Sequence, residues 1–366
     1  MKEHNIQMVD LVGQYEEIKN EIKAGFDEVL ETASFINGPA VKSFQSSLEQ
    51  YLGVKHVIPC ANGTDALQIA MMGLGLKPGD EVITADFTFA STVEVIALLG
   101  LTPVLVDVKW DDFTIDVAAV EKAITPKTKA IVPVHLFGQC ADMKAVMHLA
   151  ERHNLKVIED AAQAHLASWN GVPVGAWGDA AAFSFYPTKN MMSGEGGMIA
   201  VTDAEVERTC RLLRNQGMER RYANEIVGYN LRMTDLHAAI GRAQFSQLCD
   251  WTVARQQNAA FLSEHLRGVT TPAVDERATH VFHQYTVRVA GGHRDEFAAA
   301  LEARGVGCGV YYPTPVHRLP SFAADVDLPE TERAAAECLS LPVHPALTQS
   351  ELEAIVDAVN EVVERG

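Results

Sequence analysis

The residue with the clearest potential for chemistry is Lys189. It lies in the apolar segment AAAFSFYPTKN, just before the glycine-rich turn at 193–197. Partial removal of an amine from water lowers its pKa and prepares it to form a Schiff base with a carbonyl. The other lysines lie in polar segments that are typical of solvated surfaces. These residues alone leave open whether Lys189 is catalytic or not.

A carboxylate, Asp160, follows the short apolar segment 156–159. If that segment is a strand, Asp160 lies at its carboxyl end, which is where open α/β sheets bind ligands. A carboxylate in that position can hold a proton on a heterocyclic nitrogen. It can equally cap the segment AAQAH that follows it, so both interpretations stand at this point.

The triplet Asn62-Gly63-Thr64 opens a predicted helix directly after a predicted strand. Free N–H groups at a helix start, a glycine that allows close approach and a hydroxyl together suit a phosphate group. An ordinary helix cap has the same pattern. Ser184 offers a second hydroxyl at a strand end. Phe89 offers a ring for stacking, although any single Phe is as easily a core residue.

Several classes of function are disfavoured by what the sequence lacks. The net charge of −18 argues against nucleic-acid and anionic-membrane partners. Dinucleotide, Walker and GxSxG motifs are missing, and no histidine pair has metal-ligand spacing, so we predict no metal site. The six cysteines are scattered without a CxxC pair, and the first ten residues contain no apolar run. We therefore expect a cytoplasmic protein.

From residue 56 onward, short apolar segments alternate with helical ones. This pattern predicts a mostly parallel sheet covered by helices on both faces, hence the α/β fold class. The predicted strands are 56–59, 81–84, 103–106, 130–134, 156–159, 180–185 and 197–201. A long helical stretch at 233–267 leads into a smaller α+β region with predicted strands at 280–289 and 309–312. We predict a large domain at 1–240 and a smaller one at 241–366.

Six segments in this order resemble the DegT/DnrJ/EryC1/StrS family of pyridoxal-phosphate (PLP) sugar aminotransferases. They are CANGTDAL (60–67), TFAST (88–92), EDAAQAH (159–165), SFYPTKN (184–190), GEGG (194–197) and GYNLRMTD (228–235). The resemblance continues through GVYYPTPVH and LSLPVHP to cover nearly the whole chain. It implies the aspartate aminotransferase fold, known as fold type I.

The resemblance also implies a role for each matching residue. Lys189 is the Schiff-base lysine, Asp160 pairs with the pyridinium nitrogen, and Gln163 contacts the 3′-oxygen of PLP. The remaining implied cofactor contacts are the phosphate ligands and the stacking ring, namely Gly63, Thr64, Ser184 and Phe89. Asn230 matches a phosphate ligand that the family takes from a second subunit, which implies a homodimer with shared sites.

The implied reaction transfers an amino group from glutamate to a dTDP- or UDP-linked keto-sugar by a ping-pong mechanism. Glutamate is released as 2-oxoglutarate in the first half-reaction. Arg232 could bind a carboxylate, and Tyr312 and His317 are further expected substrate contacts. A cyclitol aminotransferase, an aminohydroxybenzoate-type dehydratase and a regulatory homologue without catalysis are the alternatives. Lys189 argues against the dehydrating members that carry histidine at its position. The sequence departs from the family pattern at two places, with Ala85-Asp86 in place of a proline-led turn and Leu166 in place of a glycine. Both departures concern loop shape and substrate fit, and neither changes the implied cofactor contacts.

Overall fold

The computed structural model describes residues 5–365, and the side chain of residue 365 is outside the description. A seven-stranded sheet forms its centre, in the order β1-β9-β8-β5-β4-β2-β3. These strands are β1 (His56–Cys60), β2 (Glu81–Ala85), β3 (Thr102–Val106), β4 (Thr128–Val132), β5 (Lys156–Asp160), β8 (Ala180–Ser184) and β9 (Gly197–Val201). Strand β9 is antiparallel to both of its neighbours, and the other pairs are parallel.

The helices lie between the strands and beyond them. They are α1 (Leu11–Thr32), α2 (Pro39–Leu52), α3 (Gly63–Gly73), α4 (Ser91–Leu98), α5 (Val117–Ala123), α6 (Met143–His153), α7 (Ala204–Arg214), α8 (Asp235–His265), α9 (Arg294–Ala303), α10 (Pro329–Glu337) and α11 (Gln349–Arg365). The parallel strands β2, β4 and β5 are short and almost continuously buried, as expected when helices cover both faces. No helix in residues 5–365 is long and apolar enough to cross a membrane.

The remaining strands form three small sheets. These are β6 (Ser168–Trp169), β7 (Val172–Pro173) and β12 (Ala278–Thr279) in one sheet, the hairpin β10 (Met218–Arg220) and β11 (Ala223–Asn224), and the pair β13 (Tyr285–Arg288) and β14 (Cys338–Leu341). The β13–β14 pair, α9 and α11 surround a second hydrophobic core. The end of α8 joins this core through Ala259 and Leu262, while its contacts with α1 and α2 lie in the first part of the molecule.

Of the two strands predicted in the second region, one is shorter in the structure than predicted and the other does not form a regular strand. The predicted strand at 280–289 is regular only as β13, because the residues before it bond to another loop instead of to a strand. The N–H groups of Val281 and Gln284 donate to the carbonyls of Gly138 and Phe137. The predicted strand at 309–312 is reduced to a single bridge between Gly309 and Ser340. The domain limit at residue 240 lies inside α8 and stays a prediction.

Candidate active site

A cavity of about 600 Å³ lies at the carboxyl ends of β2, β4, β5 and β8. It is lined by residues from several loops that follow these strands and by residues of the second region. The lining includes Gly63, Thr64, Asp65, Phe89, Phe137, Asp160, Ala162, Gln163, Ser184, Tyr186, Lys189, Glu195, His283, Gln284 and Tyr312. The structure therefore brings eight of the predicted site residues together in one cavity, at the edge of the sheet where ligands are expected.

Lys189 is placed by the turn that follows β8. Its backbone N–H donates to the carbonyl of Tyr186 at 3.0 Å, which closes the turn and presents the residue to the cavity. Burial lowers the pKa of Lys189 to about 8, and the nearby Asp160 carboxylate opposes this shift. The neutral amine, which is the form that attacks a carbonyl, is therefore a minor fraction near physiological pH but a much larger one than in a solvated lysine.

In cofactor-free protein we expect the rate of PLP capture to rise with pH through a midpoint near 8, because only the neutral amine of Lys189 reacts. Between pH 8 and the ordinary lysine pKa of about 10.4, the folded protein binds fewer protons than the unfolded chain. The stability contribution of this group therefore rises with pH in that window, and it is least favourable below pH 8.

Stopped-flow mixing of cofactor-free protein with PLP across this pH range measures the midpoint. Nα-acetyl-lysine, which has a free and fully solvated side-chain amine, serves as the reference. A protein midpoint equal to that of the reference would show that Lys189 is not desolvated.

Asp160 ends β5 and is almost fully buried, with 5% of its surface exposed. One carboxylate oxygen accepts a hydrogen bond from the Thr92 hydroxyl at 2.7 Å, and the other accepts from the N–H of Ala162 at 3.1 Å. These two bonds hold the carboxylate at the cavity wall and leave lone pairs free for a ligand. The arrangement suits a protonated ring nitrogen, which would be the charged partner that a buried carboxylate requires.

The start of α3 lies close to the end of β8. A Cβ atom at Gly63 would lie 2.7 Å from the Cβ of Ser184, so only glycine fits there without movement of the backbone. Asn62 caps α3 by accepting from the N–H of Asp65 at 2.8 Å. The first N–H groups of a helix have no partner within it and favour an anion. With the hydroxyls of Thr64 and Ser184 in the same cavity, this cradle fits the phosphate of PLP.

The Gln163 side chain links the two regions. Its Oε1 accepts from the N–H of Phe137 at 2.8 Å, and its Nε2 donates to the hydroxyl of Tyr312 at 3.1 Å. This network assigns the amide nitrogen to the Tyr312 side, where its second hydrogen can reach a ligand oxygen. Phe89 is 57% exposed and its ring centroid lies 6.0 Å from that of Tyr312, so a ring face is available for stacking.

Three predicted site residues do not line the cavity of their own chain. Asn230 is exposed and forms an isolated bridge with Asn215. Arg232 is half-buried and donates to Oδ1 of Asn215 at 3.0 Å. His317 is 1% exposed and bonded to other protein side chains, so the structure does not place it as a substrate contact within the chain.

Sequence reasoning missed three residues of the site. Thr92 supports Asp160, and its spacing of four residues from Thr88, whose hydroxyl lies 3.4 Å away, is a signal that could have indicated it. His283 and Gln284 line the cavity because of the irregular segment before β13. His283 shares a polar contact of 3.3 Å with Asn190, the residue after Lys189. No sequence pattern indicated either of these two positions.

Residues 16–360 match the profile of the DegT/DnrJ/EryC1/StrS aminotransferase family. A "pleiotropic regulatory protein" of Geobacillus stearothermophilus is 45% identical, with 98% of each chain covered. A UDP-N-acetyl-3-dehydro-alpha-D-glucosamine 3-aminotransferase of Acidithiobacillus ferrooxidans is 41% identical, again with 98% of each covered. A dTDP-3-amino-3,4,6-trideoxy-alpha-D-glucose transaminase of Streptomyces venezuelae is 39% identical over 98% of this chain and 97% of the relative.

Solved structures are similar over the full length. Streptomyces venezuelae DesV superposes with a TM-score of 0.96 at 38% identity, covering 99% of this chain and all (100%) of the other. NtdA of Bacillus subtilis, solved with bound cofactor PMP, has a TM-score of 0.90 at 32% identity, covering 100% of this chain and 87% of the other. The predicted α/β fold class is confirmed by these similarities and by the mostly parallel central sheet.

Proposed function

This chain belongs to the DegT/DnrJ/EryC1/StrS aminotransferase family, and on that premise we propose that it transfers an amino group from glutamate to a keto-sugar linked to UDP or dTDP. One observation carries the proposal. The desolvated Lys189 and the buried Asp160 line the same cavity as the phosphate cradle of Gly63 and Ser184. Relatives named for UDP- and dTDP-sugar amination support the choice of acceptor class.

The cofactor is PLP, which when bound supplies an electron sink for the carbon that gains or loses the amino group. The chain must hold this group and move protons around it. In the proposal, Asp160 keeps the proton on the ring nitrogen and Gln163 donates to the 3′-oxygen. The Lys189 amine takes the proton from the amino-bearing carbon of the donor and later returns a proton to the sugar carbon.

The two half-reactions provide the test. Purified protein loaded with PLP is mixed with glutamate alone, and 2-oxoglutarate is measured together with the change in cofactor absorbance. Keto-sugars linked to UDP or dTDP are then added, and the amino-sugar product is identified by mass spectrometry and NMR. Conversion of glutamate without transfer to any nucleotide-sugar, but with transfer to a cyclitol ketone, would move the proposal to that acceptor class.

A regulatory role is a second candidate, because the relative at 45% identity is named as a regulatory protein. A purely regulatory chain has no need for a desolvated lysine beside a buried carboxylate in one cavity. The glutamate half-reaction separates the two candidates. A protein that binds PLP tightly but releases no 2-oxoglutarate would favour regulation.

We also propose that the active form is a homodimer with shared sites. Among the described residues, Lys189 is the only Lys or Arg that lines the cavity. A nucleotide pyrophosphate and a glutamate carboxylate need cationic partners, which a second copy can supply. The segment around the β10–β11 hairpin exposes Tyr222 at 81% and Val227 at 94%, large apolar surfaces that favour an interface. In this arrangement Asn230 and Arg232 of one copy reach the cavity of the other.

Mixed dimers test this sharing. Lys189→Ala and Asn230→Ala proteins are each expected to be strongly impaired. When they are mixed and subunits exchange, a hybrid dimer has one site with both defects and one intact site. Random exchange therefore restores about a quarter of wild-type activity if the sites are shared between copies. No recovery after exchange, with hybrid formation verified by native mass spectrometry, would place all residues of a site in one chain.

The predicted cytoplasmic location stays a prediction.

A further inference from the structure

A buried polar pair, Asp86 and His317, connects the large sheet to the second region. Asp86 directly follows β2 and is 0% exposed, and His317 belongs to the short 3-10 helix Val316–Arg318 and is 1% exposed. Oδ1 of Asp86 accepts from the backbone N–H of His317 at 2.8 Å, and Oδ2 lies 2.8 Å from Nδ1 of the same residue. Both carboxylate oxygens are therefore directed to one residue.

On the His317 side, polar contacts connect the pair to the protein surface through Glu332. Nε2 of His317 lies 3.0 Å from Oε1 of Glu332, which also accepts from Arg318 at 2.6 Å. Burial raises the pKa of the Asp86 carboxyl, and its hydrogen bonds to His317 oppose that shift. A buried carboxylate without its partners would be strongly destabilising, so the two segments stay together while both residues are present.

Each member of the pair lies close in sequence to an aromatic residue of the cavity wall. Phe89 follows Asp86 by three residues, and Tyr312 precedes His317 by five. The two aromatic rings are 6.0 Å apart, and Phe87 packs against Tyr312 with centroids at 6.2 Å. The pair thus joins the two segments that form this wall, and neither of its members lines the cavity.

We propose that Asp86 and His317 are positioning residues that hold the Phe89–Tyr312 wall in register. This inference rests on the proposed function. Large apolar faces contribute most to a ligand that packs broadly against them. Loss of the pair therefore weakens binding of the keto-sugar more than that of the small donor glutamate, and it disturbs the surroundings of the bound cofactor while Lys189 and Asp160 stay in place.

A second carboxylate offers a matched control. Asp107, just after the neighbouring strand β3, also holds the second region. It accepts from the N–H groups of Glu330 and Thr331 at 2.9 and 2.7 Å, at the start of α10. Asp107 does not line the cavity, and the element that it holds is not part of the aromatic wall. A role limited to docking the two regions would give Asp86 and Asp107 variants the same behaviour.

The experiment compares Asp86→Ala with Asp107→Ala in the PLP-loaded protein. For Asp86→Ala we expect a KM for the keto-sugar raised about tenfold, with kcat changed less than about threefold. We also expect an altered visible circular dichroism of the bound cofactor. For Asp107→Ala we expect a lowered melting temperature, with an unchanged KM and dichroism. Equal changes in both variants, or an unchanged KM and dichroism in Asp86→Ala, would overturn the positioning role.

Two variants of His317 cover the case in which Asp86→Ala does not fold. The backbone N–H bond to Asp86 remains in both variants. Of the two side-chain bonds, the amide nitrogen of His317→Asn can replace Nδ1 and keep the one to Asp86, whereas that of His317→Gln can replace Nε2 and keep the one to Glu332. His317→Asn is expected to have a KM for the keto-sugar and a dichroism close to those of the wild type. His317→Gln is expected to have a raised KM and an altered dichroism. The reverse order contradicts the proposal. The dichroism needs no sugar turnover, so it tests the wall even if no nucleotide-sugar is an acceptor.

Discussion

Replacement of Lys189 by alanine is expected to lower kcat for amino transfer by at least about 1000-fold. The same change should remove the visible absorption that the PLP-loaded protein has from its covalent bond to this residue. The physical reason is that the proposed reaction depends on the amine of Lys189. Among the described residues, Lys189 is the only lysine in the lining of the cavity, and its lowered pKa of about 8 keeps a neutral fraction available.

The measurement is a single-turnover assay with glutamate, alongside absorption spectra of the same samples. Lys144→Ala is the control, because Lys144 is exposed on α6, remote from the reacting group in sequence and function. Lys189→Arg is a second control, which keeps the positive charge but not the nucleophile. Wild-type turnover by Lys189→Ala would remove this residue from the chemistry.

The second large effect is expected for Asp160→Asn, with a fall in kcat of about 100- to 1000-fold and the protein still able to bind PLP. The amide keeps the size of the side chain and can still accept one of the bonds from Thr92 and Ala162. It cannot hold a proton on the ring nitrogen by charge. Loss of that proton weakens the electron sink, so the proton-transfer steps slow while cofactor contacts elsewhere remain.

A graded series identifies the cause. Thr92→Val removes the 2.7 Å bond to Asp160 and is expected to lower kcat by about tenfold, since the carboxylate keeps its charge but not its position. Asp179→Asn alters a carboxylate that accepts from Val157 at the opposite end of β5, and it should leave kcat unchanged. Equal rates in Asp160→Asn and wild type would leave the carboxylate with only a structural role.

The sequence by itself was sufficient for the fold class, and it singled out most of the predicted site residues that the structure brings together in the cavity. Short buried segments between helices predicted the strands of the sheet, and Asp160 was expected at a strand end. Lys189 was expected just before a glycine-rich turn and Gly63 at a helix start, and the structure places all three residues in one cavity. These are properties of neighbouring residues, because hydrophobic period, helix caps and glycine positions act over a few residues.

The tertiary structure decided how distant segments meet. The bond between Thr92 and Asp160 joins residues 68 positions apart, and the Asp86–His317 pair joins residues 231 apart. His317 was expected at the substrate and instead lies buried against Asp86, whereas His283 lines the cavity. Local propensities do not specify such contacts, because they form only when two independently patterned regions pack together and each buried polar group must find its partner there.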